Sequence, residues 1–427
     1  MNDGGRQARE ARQRCRLVEI GDHWYRTGSA QFGAALRLAG HGEHAETLAH
    51  QRQQAHADIA AADDQQTRLA EFFIDCSFHH QDCMTFQVVV QPSGRQFSCD
   101  ADETVLAAAT RAGIGLPYGC KNGACGSCKG KVLSGDVTHG PHQERTLTAA
   151  DEQSGHALFC CAIPHSDIVI EAREVLGLDD FPVRKMPSRV AKLEKLSDDV
   201  MLIVLQLPAN ERLKYRAGQY IEFLLRDNKR RSYSMANAPQ NGEQITLHVR
   251  LMAGGLFTEQ VFGSMKERDI LRFEGPLGTF FLREDSDKPI VLLASGTGFA
   301  PIKALLEHAF HENITRPITL YWGGRKPADL YMNGLCEEWA AQHPNFKYVP
   351  VISDSSAEDH WSGRTGFVHR AVMLDLPDLS GHQVYACGAP IMVDSARHDF
   401  VEQCGLPEIE FYADAFTSEA DVDHAPA

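Results

Sequence analysis

The chain has 427 residues, 43% of them hydrophobic, and a formal net charge of −15, a length that suggests two to four domains with substantial cores. The acidic balance weighs against nucleic acid as a partner; it serves solubility, or docking onto a basic patch of a protein acceptor. No stretch approaches the ~18 apolar residues of a membrane span, and the N-terminus has no apolar signal core. A cytoplasmic chain with no membrane partner is therefore expected.

Residues 1–83 contain nine Arg, no Lys, no Pro and seven of the 20 His. Their hydrophobic periodicity is weak until Leu69–Phe73. Three readings are open: a tail without fixed structure, a small helical appendage, or a segment translated from upstream of the true start. Met84 opens a clean strand, which favours the third. His79, His80 and Cys83 lack the partner spacing of a metal site.

A domain is expected over residues 84–175. Phe86–Val90 and Arg95–Cys99 read as a hairpin around the turn Gln91–Gly94. Thr104–Ala112 reads as an apolar helix, and Lys129–Ser134 and Ile168–Ile170 as strands. Between helix and strand, Cys120, Cys125 and Cys128 form a C-x4-C-x2-C run, and Cys160 follows after 31 intervening residues. Zinc sites show two C-x2-C pairs or added histidines. The spacing here is that of plant-type [2Fe–2S] sites. Gly119, Gly123 and Gly126 allow the loop to curl with its N–H groups facing a negative core. The other eight of the twelve Cys are scattered, as a reducing compartment permits. Cys161, next to Cys160, leaves two candidates for the fourth ligand.

A linker with Pro182 and Pro187 is expected next. Over residues 188–284, short runs at Val190–Leu193, Val200–Gln206, Tyr220–Leu225, Ser232–Met235, Ile245–Arg250 and Ile270–Phe273 predict an antiparallel barrel. Arg231-Ser232-Tyr233-Ser234 lies on one of these strands. Arginine offers a planar fork for a phosphate, tyrosine a stacking ring and serine a hydroxyl. His248-Val249-Arg250 follows one strand later. Gly254-Gly255 and Thr258 form a glycine turn at a helix start, suited to a phosphate.

Residues 288–416 change rhythm to strand then helix: Pro289–Ala294, Ile318–Trp322, Phe346–Val351 and Gln383–Cys387. This predicts a parallel doubly wound sheet. Gly296, Thr297 and Gly298 follow a buried strand, and Pro301 falls in the first turn of the next helix, the arrangement of a pyrophosphate loop. Cys387-Gly388-Ala389-Pro390 ends another strand of the same sheet. Phe411–Phe416 reads as a terminal strand, and residues 417–427 as a tail.

Taken together, residues 84–416 resemble the iron–sulfur flavoprotein reductases: a plant-type ferredoxin joined to the barrel and nucleotide domains of the ferredoxin–NADP reductase superfamily. The resemblance is strongest to members serving deoxysugar dehydrases, the CDP-6-deoxy-3,4-glucoseen reductases, and extends to the reductase components of phenol and aromatic oxygenases. It implies a β-grasp ferredoxin fold, and it favours Cys160 over Cys161 as the fourth ligand, because the family carries Leu-x-Cys-x-Ala there. It implies that Arg231, Tyr233, Ser234, His248, Val249, Arg250, Gly255 and Thr258 hold a flavin, with Arg231 favouring FAD over FMN. Gly296, Thr297, Gly298, Pro301, Cys387, Gly388 and Pro390 would hold the pyridine nucleotide. Ser234, Cys387 and Phe416 would act at the hydride step, with Asp414 as a polar tuner. Electrons would run from NAD(P)H through FAD to the cluster and on to a redox partner protein, a sugar dehydrase or an oxygenase component. Arg325 or Lys326 could hold a 2′-phosphate; basic residues there also occur in NADH users, and NADH is favoured over NADPH. A reading of another class, a redox sensor that does not turn over, is disfavoured by the intact Arg231, Tyr233, Ser234, Gly296 and Gly298.

Overall fold

The structure is a computed structural model and describes residues 84–175, 177 and 180–417. The expectations for residues 1–83, including His79, His80 and Cys83, and for most of the tail lie outside the described residues.

The first sheet is built from β1 (Thr85–Gln91), β2 (Arg95–Asp100), β3 (Lys129–Ser134), β5 (His156–Leu158) and β7 (Ile168–Glu171), in the order β2-β1-β7-β3-β5. A small ladder pairs β4 (Val137–His139) with β6 (Ala162–Pro164). Alternation sends Val88 and Val90 of β1 inward, as a strand's period of two requires. They meet helix α1 (Val105–Arg111), whose Val105, Leu106, Ala108 and Ala109 are buried and whose N-cap Thr104 accepts from the Ala107 N–H. This cap satisfies one donor that the first turn would otherwise leave unpaired. The mixed sheet over one helix is the β-grasp arrangement expected.

The second sheet runs β11-β10-β13-β8-β9-β12, made from β8 (Arg184–Lys195), β9 (Val200–Gln206), β10 (Tyr220–Leu224), β11 (Arg230–Ser234), β12 (Gln244–Arg250) and β13 (Ile270–Leu277). The bridge Met235↔Leu247 joins its two edges and closes the barrel. One detail departs from the sequence reading. The expected linker residue Pro187 lies inside β8, opposite Arg272. Here β8 pairs on one side only, because β9 joins it from Arg189 onward, so the missing proline N–H removes no ladder bond. Helix α3 (Leu256–Gly263) follows β12; the short helix α2 (Ala149–Gln153) lies in the first domain.

The third sheet is entirely parallel, in the order β17-β16-β15-β14-β18-β19. Its strands are β14 (Ile290–Ser295), β15 (Ile318–Gly324), β16 (Phe346–Ile352), β17 (Arg364–Thr365), β18 (Gln383–Gly388) and β19 (Phe411–Ala415). The helices are α4 (Phe299–His311), α5 (Asn333–Gln342), α6 (Val368–Asp375) and α7 (Pro390–Cys404). The first five residues of β14 are buried, which explains the unbroken apolar run. Chain order reverses between β14 and β18. In such sheets the crevice at the carboxyl ends of these two strands is where ligands bind.

Among the described residues, no helix is long and apolar enough to cross a membrane.

Candidate electron-transfer site

The cysteine loop places its thiols in two pairs. Cys120 associates with Cys125, and Cys128 with Cys160. Among the described residues, no three His, Cys, Asp or Glu side chains converge as a single ion would need. Two thiol pairs suit two irons, and the donor set is the soft sulfur such irons prefer. The loop backbone faces inward: Cys120 N–H donates to Cys125 Sγ at 3.3 Å, and Ala124 N–H to Cys120 Sγ at 3.3 Å. Gly123 and Gly126 take φ of +76° and +73°. Gly119 serves instead by closeness, since a Cβ there would lie 3.2 Å from Cys125 Sγ. Cys161 Sγ sits 3.4 Å from Cys160 Sγ, so Cys160 contacts both Cys128 and its own neighbour.

The loop is gripped by both other domains. Thr279 Oγ1, buried at the end of the barrel, accepts from Tyr118 N–H at 2.9 Å and donates to Tyr118 O at 3.1 Å. Tyr220 Oη donates to Gly119 O at 2.8 Å. On the other side, Ser127 Oγ donates to Ala413 O in β19 at 3.0 Å, and the Cys125 thiol lies 3.5 Å from Ser127 Oγ. The next residue of β19, Asp414, accepts from Ser234 Oγ at 3.0 Å. Two hydrogen bonds, one thiol contact and one peptide link therefore connect a cluster thiol to the last residue of the Arg-x-Tyr-Ser strand. Burial pushes the Asp414 carboxyl up to about 7, against the pull of the Ser234 hydrogen bond.

Tyr233 stacks obliquely on Phe257 at 5.2 Å and Phe223 at 5.9 Å, so β11 and the start of α3 are adjacent. Arg231 is half-buried, with Nη1 donating to Arg230 O at 2.7 Å. Gly255 caps α3, and Thr258 Oγ1 closes the turn by accepting from Met252 N–H at 3.1 Å. Strand alternation divides the next motif. The Val249 side chain belongs to the barrel core, so only its backbone is left for a cofactor. His248 and Arg250 point out toward the nucleotide domain. His248 bonds Tyr331 Oη through Nδ1 at 3.0 Å, while its buried Nε2 has no partner. Burial, aided by the Lys303 charge, lowers its pKa to about 3, so the ring is neutral. Arg250 donates to Asp329 at 3.0 Å and lies against Gly296, where a Cβ would come within 2.8 Å of its Nη1.

The two nucleotide motifs interlock. A Cβ on Gly298 would lie 2.2 Å from Cys387 O, and one on Gly388 2.2 Å from Ser295 Oγ, which accepts from Ala389 N–H at 3.0 Å. Thr297 is half-exposed on this loop, and Pro390 opens α7. Pro301 is buried in α4, so it shapes the loop and offers no surface. The Cys387 thiol is wholly buried and its pKa is raised well above the ordinary range. Phe416 N–H donates to Gly388 O at 2.8 Å, and its ring packs on the same apolar cluster as Cys387.

Three family models match in chain order: a 2Fe-2S iron-sulfur cluster binding domain over residues 88–165, an oxidoreductase FAD-binding domain over 187–282 and an oxidoreductase NAD-binding domain over 292–398. The chain is 41% identical to the CDP-6-deoxy-L-threo-D-glycero-4-hexulose-3-dehydrase reductase of Yersinia pestis, over 78% of this chain and 99% of that one. It belongs to the iron–sulfur flavoprotein reductases. The reductase component of phenol 2-monooxygenase from Pseudomonas sp. strain CF600 is 34% identical over 79% of this chain and 96% of its own. The crystal structure of the Amycolatopsis cytochrome P450 reductase GcoB superposes with a TM-score of 0.62 at 34% identity, covering 78% of this chain and 99% of that one. This reductase is thus an oxidoreductase with a [2Fe–2S] domain, an FAD domain and an NAD domain. Sequence reasoning gives no docking role to Thr279, Tyr220 or Ser127. Ser127 lies in the cysteine loop and Tyr220 at a strand entry, but the partner of each is in another domain, so no motif shows the contact.

Proposed function

We propose that this reductase draws on NADH and delivers single electrons to a dehydrase acting on a CDP-linked deoxyhexulose. FAD, when bound, would supply the conversion of a two-electron hydride into the single electrons that a [2Fe–2S] centre requires. Cys120 with Cys125, and Cys128 with Cys160, would hold the cluster irons. Arg231 offers its fork to the FAD pyrophosphate, helped by the Gly255–Thr258 turn at the start of α3. Tyr233 supplies a face for the isoalloxazine, and Ser234 with Asp414 a polar edge. The His248 Nε2, the Val249 backbone and Arg250 complete the flavin side. Gly296, Thr297 and Gly298 let the nucleotide pyrophosphate approach the backbone, with Gly388 and Pro390 shaping the facing turn. Phe416, packed on the same apolar cluster as Cys387, would cover the flavin and give way to nicotinamide.

The observation that carries this reading is the docked cluster loop: Ser127 on Ala413, and Asp414 on Ser234. A cluster held by this loop would sit close to the flavin strand, which supports transfer within the chain. The choice of dehydrase rests on the 41% identity to the Yersinia pestis reductase, against 34% for the phenol monooxygenase component. Anaerobic NADH should bleach the flavin and bring up the rhombic spin-½ signal of a reduced diiron pair. The reduced protein should then support turnover of a purified CDP-4-keto-6-deoxyhexose 3-dehydrase. Turnover with an aromatic oxygenase component instead of the dehydrase would move the assignment to that branch, and a protein that both NADH and NADPH leave oxidised would be a sensor.

A further inference from the structure

The strand β15 ends at Gly324 and β16 at Ile352, next to each other in the parallel sheet and beside the glycine loop after β14. In a doubly wound sheet the adenosine ribose of a dinucleotide lies over the end of the second strand, where an acidic residue serves a 2′-hydroxyl and a basic one a 2′-phosphate. The chain has Arg325 and Lys326 at this place, which alone would suggest NADPH. The neighbouring loop alters that reading. Ser353 N–H donates to Gly324 O at 2.9 Å and Asp354 N–H to Arg325 O at 3.0 Å, so the two strand ends are zipped together.

Lys326 Nζ is consequently met by two carboxylates, Asp359 at 3.4 Å and Asp354 at 3.9 Å. Asp359 is not free to swing away: its Oδ2 also accepts from Ser356 N–H at 2.6 Å and Ser356 Oγ at 2.8 Å. A third carboxylate, Asp329, accepts from the N–H groups of Arg325 at 2.7 Å and Lys326 at 3.0 Å. Asp329 is also held by Arg250 at 3.0 Å, so the three cations Arg250, Arg325 and Lys326 are matched by the three carboxylates Asp329, Asp354 and Asp359, and the rim carries no surplus positive charge. A dianionic 2′-phosphate would have to displace Asp354 and Asp359 from Lys326 and then lie beside them. A 2′-hydroxyl can donate to either. Charge that is rigidly placed against a competitor discriminates by repulsion as much as by attraction.

We infer that Asp354 and Asp359, by occupying Lys326, are specificity-determining residues that select NADH over NADPH. This rests on the pyridine-nucleotide reading above, and the test separates the two. Adenosine 5′-monophosphate and adenosine 2′,5′-bisphosphate differ only in the 2′-phosphate, and calorimetric titration of each into the holoprotein reads that phosphate without any electron transfer. In the wild type the monophosphate should bind more tightly. In Asp354→Asn/Asp359→Asn the preference should shift toward the bisphosphate by about tenfold, the scale of like-charge effects in partly screened solvent. The ratio of kcat/KM for NADPH to that for NADH should rise in step. Adding Lys326→Met should take most of that gain back. A double variant whose binding ratio moves less than about threefold, or a gain that survives Lys326→Met, overturns the inference and leaves the electron-transfer reading standing. A wild type that binds neither nucleotide overturns both.

Discussion

The cluster loop and the glycine loop of the nucleotide domain are both short, glycine-rich and shaped for a charged cofactor, yet they are built differently. Over Gly119–Cys128 the proposed ligating atoms are side chains of one segment, and two of its glycines take positive φ so that the segment can curl. Over Ser295–Gly298 the atoms proposed to face the nucleotide are backbone. The glycine at 298 has an ordinary φ of −57° and is needed because Cys387, almost ninety residues later, leaves no room for a Cβ. Local conformation dominates the first loop; the second has its own positive φ, +51° at Gly296, and depends as well on the fit of two distant strand ends.

The test with the largest expected effect acts on the first loop. Cys125→Ser removes one thiol of a pair and should lower NADH-driven cytochrome c reduction by about a hundredfold or more. The rhombic cluster signal should vanish with it. Ferricyanide, which can take electrons from the flavin, should still be reduced. Equal loss of both activities would break the electron order and with it the distinction between the two loops.

The same contrast explains what could be read from the chain. The iron–sulfur domain, the hairpin, the barrel strands and the parallel strands are all legible, because spacing and periodicity are local. The cysteine run is the plainest signal of all, since its chemistry lies in the residue type. Pro187 was misjudged as linker, because a proline inside a strand is tolerable only where one side lacks a partner, a fact of pairing rather than of sequence. Val249 was named for the flavin when its side chain fills the barrel core, because a motif read as three consecutive letters hides the alternation of a strand. The carboxylates around Lys326 were invisible for a related reason: Asp354 and Asp359 come near it only after β15 and β16 pair.

A smaller effect is expected on the second loop. Gly298→Ala puts a methyl group 2.2 Å from Cys387 O, a main-chain atom that cannot give without shifting β18. Overpacking of this kind costs about 1–3 kcal/mol. Thermal unfolding should show it, and the KM for NADH should rise while the cluster spectrum is unchanged. A variant with wild-type stability and KM would mean that the loops at 295–298 and 387–390 are not packed as tightly as their geometry implies.

The smallest effect sharpens the comparison most, because it asks whether the cluster loop is purely local. Tyr220 belongs to the barrel, is buried, and spends its hydroxyl on Gly119 O. Tyr220→Phe keeps the ring and loses one hydrogen bond, worth about 1 kcal/mol. If the loop's conformation is set by its own residues, the cluster spectrum should be unchanged. The loss should appear instead in how firmly the ferredoxin domain docks, as faster amide exchange at Gly119–Lys121 and a modest drop in cytochrome c reduction. A changed cluster spectrum would mean that the barrel shapes the sulfur cage as well as anchoring it, and the contrast with the nucleotide loop would then be one of degree.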